Sequence, residues 1–135
     1  MYKVSKTVSF SYAHRLPGHK GKCRNLHGHN AAVELTLESR VLNGDKMVAD
    51  FGDLGGALKS WLDLNFDHKT ILCQADPLLK ILRQAGQDCF ETASNPTAEA
   101  LAEIIFAEMK KLGLPVTEVR FWETANSMAS YGEKL

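Results

Sequence analysis

The stretch "YKVSKTVSFSYAH", residues 2–14, decides how the rest of the chain is read. Tyr2, Val4, Val8, Phe10, Tyr12 and His14 fall on the even positions, while Lys3, Ser5, Thr7, Ser9 and Ser11 fill most of the odd ones. Successive side chains of an extended chain point to opposite faces, so this period-two pattern predicts a strand with one apolar and one polar face. Residues 29–41 repeat it: His29, Ala31, Val33, Leu35 and Leu37 share a face, against Asn30, Glu34, Thr36 and Glu38. Between the two, "RLPGHKGKCRNL" (15–26) carries Pro17, Gly18 and Gly21 and reads as a loop. The two strands are therefore expected to pair as a hairpin.

Further along, "LNGDKMVADF" is expected to turn at Asn43-Gly44 into a short extended piece. The period then becomes helical: Phe51, Leu54, Leu58, Trp61, Leu62 and Asn65 recur behind a cap at Asp50, although Gly55 and Gly56 weaken this helix. "DPLLKILRQA" predicts a short second helix, with Asp76 as cap and Pro77 in the first turn. The clearest helix spans 96–112, opened by Pro96, capped by Asn95 or Thr97 and closed by Lys110, Lys111 and Gly113. After Pro115, "VTEVRFWETA" is a strand with Val119, Phe121 and Glu123 on one face, and "SMASY" a short last one. The order predicts an α+β fold: a four-stranded antiparallel sheet with helices on one face.

The chain has 135 residues, the length of one domain (1–135). Sixteen basic and sixteen acidic residues cancel, which argues against non-specific nucleic-acid or membrane-surface binding. No apolar run approaches membrane-spanning length, and the alternating start lacks a signal peptide's apolar core. Cys23, Cys73 and Cys89 are too few and too odd in number for a disulfide framework, so a reducing cytoplasm is expected.

The chemistry gathers in "CRNLHGHN" (23–30). His27 and His29, two apart, share a face, and His14 ends the apolar parity of the first strand. If the strands pair, all three imidazoles converge at one rim of the sheet. Three neutral nitrogens suit zinc and leave a fourth position open. His-x-His alone is a weak motif, and satisfied polar histidines at strand ends remain the alternative. Cys23 lies among Lys20, Lys22 and Arg24, cations that would stabilise a thiolate or hold a phosphorylated substrate; it is otherwise an incidental loop thiol. Asp67-His68 could serve a proton relay, although neighbours in sequence do not easily share the usual orienting hydrogen bond. Glu123 stands on the apolar parity of its strand, where a carboxylate is costly unless it is paired, binds donors or reaches water.

Taken together, "FSYAHRL" (10–16), "CRNLHGHN" (23–30), "VADF" (48–51), "FDHKTIL" (66–72), "NPTAEALAE" (95–103) and "WETANSMASY" (122–131) resemble the 6-pyruvoyl-tetrahydropterin synthase / 6-carboxy-tetrahydropterin synthase family over nearly the whole chain. The resemblance implies the tunnelling fold, whose subunits join edge to edge into barrels, commonly hexamers with active sites between subunits. It implies Zn2+ held by His14, His27 and His29, Cys23 as the proton-abstracting cysteine, and Asp67 with His68 as proton relay. It implies that Glu123 anchors the amino-pyrimidine edge of the pterin. Thr97 falls where the family holds the pterin from a neighbouring subunit, with Ala98 where relatives carry a second hydroxyl. The substrate implied is 7,8-dihydroneopterin triphosphate. One branch cleaves a carbon–carbon bond, giving 6-carboxy-5,6,7,8-tetrahydropterin, acetaldehyde and triphosphate in queuosine biosynthesis; the other keeps the side chain as 6-pyruvoyl-tetrahydropterin. The Cys-x3-His-Gly-His spacing resembles the carboxy-forming enzymes. A non-catalytic zinc-binding homo-oligomer and an aldolase acting on an unphosphorylated pterin are the rival readings. Residues 72–93 are longer than in compact relatives and have no role assigned, nor do Cys73, Cys89 and His19.

Overall fold

The computed structural model describes residues 1–133, so the last two residues of the expected 1–135 domain lie outside the described residues. Strands β1 (Tyr2–His14) and β2 (His27–Ser39) form the predicted antiparallel hairpin, in unbroken register from Tyr2↔Ser39 to His14↔His27. β2 starts two residues earlier than the alternation indicated, because Gly28 has no side chain to declare a face. A Cβ built there would stand 3.3 Å from the Tyr12 carbonyl oxygen, so glycine suits this close approach.

The chain continues through α1 (Phe51–Asn65), β3 (Lys69–Cys73), α2 (Pro77–Gln84), β4 (Cys89–Thr92), α3 (Ala98–Lys111), β5 (Val116–Thr124) and β6 (Ser127–Gly132). The sheet has six strands in the order β4-β3-β1-β2-β5-β6, which corrects the four-stranded antiparallel expectation. β3 pairs parallel with β1, and β4 parallel with β3, so the sheet is mixed. Both added strands are short. In β3 the adjacent Ile71 and Leu72 are both fully buried, as in a strand covered on two faces, and so no alternation marks it. The expected extended piece before α1 is absent. Residues 42–50 run as turns around Asn43, whose side-chain oxygen accepts from the Asp45 and Met47 N–H groups at 2.9 Å each.

Helix starts follow the predicted caps. Asp50 accepts from Asp53 N–H at 3.1 Å, Asp76 from Leu78 N–H at 2.9 Å, and Thr97 from Ala100 N–H at 3.2 Å. Pro96 does not open α3: it lies before the Thr97 cap, outside the helix. Phe10, Tyr12, Val33, Leu35, Leu37, Val119 and Phe121 from one sheet face pack against Leu54, Leu58 and Leu62 of α1 and Leu101, Ile105 and Met109 of α3. Lys6 interrupts the apolar parity of β1, and Gly55 accommodates it. A Cβ on Gly55 would come within 2.8 Å of Lys6 Cε, so the residue that weakens α1 makes room for a lysine stem. Among the described residues, no helix is long and apolar enough to cross a membrane.

Candidate active site

In the hairpin ladder His14 stands opposite His27 and Tyr12 opposite His29, so all four side chains share one face at the loop end. The imidazole centroids lie 4.7 Å (His14–His27), 5.1 Å (His14–His29) and 4.9 Å (His27–His29) apart. One ring nitrogen from each falls within 4.8 Å of the others. The convergence expected from two strand phases is present.

Backbone carbonyls orient two of the rings. His14 Nδ1 lies 2.8 Å from the Pro96 carbonyl oxygen, and His27 Nδ1 lies 2.7 Å from that of Asn25. A carbonyl only accepts, so each Nδ1 carries the hydrogen and each Nε2 presents a lone pair. Pro96 can do this because it stands outside α3. Burial pushes the pKa of His14 down against the opposing pull of Pro96 and Glu123, and burial lowers that of His29 as well. The neutral, ligating form is favoured at both.

Glu123 on β5 sends Oε1 to 3.2 Å from His14 Nε2 and 3.3 Å from His29 Nε2, while the two Nε2 atoms are 3.2 Å apart. The His14 lone pair therefore faces a carboxylate oxygen, two electron-rich atoms in contact, and a cation between them would resolve the repulsion. Three imidazoles with a carboxylate beside them fit a zinc-type ion. Tyr12, buried beneath, donates its hydroxyl to Glu123 Oε1 at 3.4 Å. Burial, then the Glu123 charge, raises the phenol well above its usual range, so it remains a donor. Nothing in the sequence marks Tyr12 as a site residue except its position two residues before His14 on the same face, because its aromatic ring fits the apolar parity. Pro96 and Asn25 act through main-chain oxygens, which no side-chain motif reveals.

Cys23 sits half-buried on a 3-10 turn, Lys22–Arg24, with Lys20, Lys22 and Arg24 exposed around it. Its carbonyl accepts from Leu16 N–H at 2.9 Å, pinching the loop shut. Asp67 Oδ1 accepts from Ser11 N–H at 3.0 Å, and His68 N–H donates to the Ser11 carbonyl at 2.7 Å, docking this pair on β1. Contrary to expectation, the neighbours do share a bond: His68 Nδ1 lies 2.9 Å from Asp67 Oδ2. His68 adopts φ of 58°, and this left-handed backbone swings the ring back over the carboxylate. The Ser11 N–H, and after it His68, hold the Asp67 carboxyl below its usual range. The His68 side chain is 81% exposed, and it docks beside Ser11 rather than among the three imidazoles. Thr97 lines an open cleft of about 210 Å³ together with Leu16, Ala98, Met128 and Glu123 of its own chain. Cys73 and Cys89 are free thiols on β3 and β4, opposite Thr92 and Thr70 respectively.

Beside His14, Arg15 forms a two-pronged pair with Asp76, with Nε 2.8 Å from Oδ2. The Asp76 side chain is fully buried. The Arg15 guanidinium, helped by Leu78 N–H, holds its carboxyl below the usual range. A carboxyl depressed on folding contributes stability that is present above its unfolded pKa of about 4 and lost as pH falls through the folded value. The stability gap between wild type and Asp76→Asn, measured by urea unfolding, is expected to be widest near neutral pH. It should close as pH drops below about 4, the unfolded carboxyl range.

A family model described as 6-pyruvoyl tetrahydropterin synthase matches residues 3–134. A relative from Rickettsia bellii (strain RML369-C), described as 6-carboxy-5,6,7,8-tetrahydropterin synthase, is 36% identical over 133 residues, covering 93% of this chain and 96% of its own. A Haemophilus influenzae protein of the same description is 35% identical over 141 residues, covering 98% of this chain and 100% of its own. The solved structure of Caenorhabditis elegans 6-pyruvoyl tetrahydropterin synthase superposes with a TM-score of 0.73 at 25% identity, covering 98% of this chain and 96% of that one. With the family pattern running from β1 through β6 and the fold superposing on a solved member, the chain belongs to the 6-pyruvoyl tetrahydropterin synthase family.

Proposed function

We propose that this chain is a zinc-dependent lyase converting 7,8-dihydroneopterin triphosphate to 6-carboxy-5,6,7,8-tetrahydropterin, acetaldehyde and triphosphate, in cytoplasmic queuosine and 7-deazaguanine biosynthesis. The observation that carries the reading is the three-imidazole cluster, with two tautomers set by carbonyls, touching a carboxylate that lines a cleft. The descriptions of the Rickettsia bellii and Haemophilus influenzae relatives favour the carboxy-forming branch. The Cys-x3-His-Gly-His spacing favours it too.

His14, His27 and His29 would hold zinc, which when bound polarises the hydroxyls of the substrate side chain. Cys23 removes a proton from that side chain, and His68, held by Asp67, passes protons to and from it. Glu123 accepts from the N–H donors of the pterin edge, and Thr97 borders the same cleft. The Asp67–His68 pair docks at Ser11 rather than among the imidazoles, which suits active sites shared between copies of the chain. The two open sheet edges, β4 and β6, suit a barrel-forming homo-oligomer such as a hexamer.

Anaerobic incubation of the zinc-loaded protein with 7,8-dihydroneopterin triphosphate, with every product identified by mass spectrometry, is expected to release acetaldehyde and the 6-carboxy pterin. Accumulation of 6-pyruvoyl-tetrahydropterin without acetaldehyde would reassign the chain to the other branch, which the C. elegans structure favours. Zinc retained without turnover would leave the non-catalytic reading.

A further inference from the structure

We infer that the segment around α2 and the turn before α3 brace the Cys23 loop, with Arg15, Asp76 and Asn95 as positioning residues; this rests on the reading of Cys23 as the base. Loop 15–26 leaves β1 at one zinc-ligand candidate, His14, and enters β2 at another, His27. It is tied outward at two points. Arg15 pairs in fork geometry with the buried Asp76, which also caps α2. The Pro17 carbonyl accepts from Asn95 Nδ2 at 3.1 Å. The loop is closed across itself by the Leu16 N–H to Cys23 carbonyl bond.

These ties act in series. Asp76 is held against β3 by its own N–H, which donates to the Cys73 carbonyl at 2.9 Å, and α2 packs on β3 and β4. Asn95 stands next to Pro96, whose carbonyl orients His14. The same short turn thus holds the loop through one residue and a zinc-ligand candidate through the next. Residues 72–93, to which no motif gave a role, supply the buried carboxylate that anchors the base of the loop. A fork-shaped pair with a buried acceptor limits rotation as well as distance. Positioning of this kind acts on kcat more than on substrate affinity, because misplacing a reacting group by about 1 Å can cost about a hundredfold.

Asp76→Asn keeps a side-chain oxygen to cap α2 and releases the Arg15 charge pair. Asn95→Ala removes the second tie and leaves α2 untouched. Arg83→Gln, which breaks the exposed Arg83–Glu91 pair elsewhere on α2, is the control. In the full-length zinc-loaded protein, both brace variants are expected to lose roughly ten- to a hundredfold in kcat, with KM within about twofold. The rate of Cys23 alkylation by iodoacetamide, read by peptide mapping against Cys73 and Cys89, should rise by at least about threefold as the tether is lost. The control should match wild type in all three. Unchanged kcat and unchanged Cys23 alkylation in folded Asp76→Asn and Asn95→Ala would overturn the brace. An equal response from Arg83→Gln would overturn it too. If Cys23→Ala retains full turnover, the assignment of the base fails instead, while the alkylation rates still report whether the loop is braced.

Discussion

Replacing His14 with alanine is expected to lower zinc affinity by at least about a hundredfold, the upper end of what even supporting residues around a metal cost, and to abolish product formation with it. His14 is 1% exposed, the most buried ring of the cluster, with its Nε2 3.2 Å from both His29 Nε2 and Glu123 Oε1. Its loss leaves two imidazoles on one strand, too few to enclose the ion. It also strands the carbonyl of the buried Pro96, at a cost of about 1–3 kcal/mol in stability. Zinc affinity by competition with a chromophoric chelator, alongside thermal unfolding of the zinc-free protein, separates the two effects. Affinity retained within about threefold, well inside what loss of a ligand costs, would dismiss the three-imidazole centre.

Cys23→Ala should behave in the opposite way. The loop is pinched through the Cys23 carbonyl, which alanine keeps, and the thiol has no ligand geometry with the imidazoles. Zinc affinity and stability are therefore expected to stay near wild type while turnover falls by about 10²–10⁴, the span of a lost general base. Single-turnover measurement with saturating pterin triphosphate tests this directly. Loss of zinc together with turnover would make Cys23 a ligand; full turnover would remove it from the chemistry.

The hairpin and the three histidines were legible because alternation is a direct image of the ladder. Once both strands had a parity, His14, His27 and His29 had to meet. The caps at Asp50, Asp76 and Thr97 were legible for a similar reason, since a cap acts within three residues of itself. What the residues did not declare is what depends on distant backbone. β3 and β4 are short and carry no two-residue rhythm, so their parallel joining to β1 had no local signature. The carbonyls of Pro96 and Asn25, which decide where the imidazole hydrogens sit, belong to no side chain. The Asp67–His68 bond depends on one left-handed φ, which a histidine adopts only rarely. Arg15 and Asp76, 61 positions apart, meet only because α2 folds back beside the hairpin.

The direct pairing of His14 with His27 closes the hairpin at its mouth before the connecting segment begins. Lengthening or recomposing residues 18–24 therefore leaves the imidazole triangle undisturbed so long as Asn25 still holds His27, whereas a single residue inserted into β1 before His14 would turn that ring to the far face. A designer wishing to alter the chemistry while keeping the imidazole cluster would cut and graft between residues 18 and 24, leaving Arg15, Pro17 and Asn25 in place.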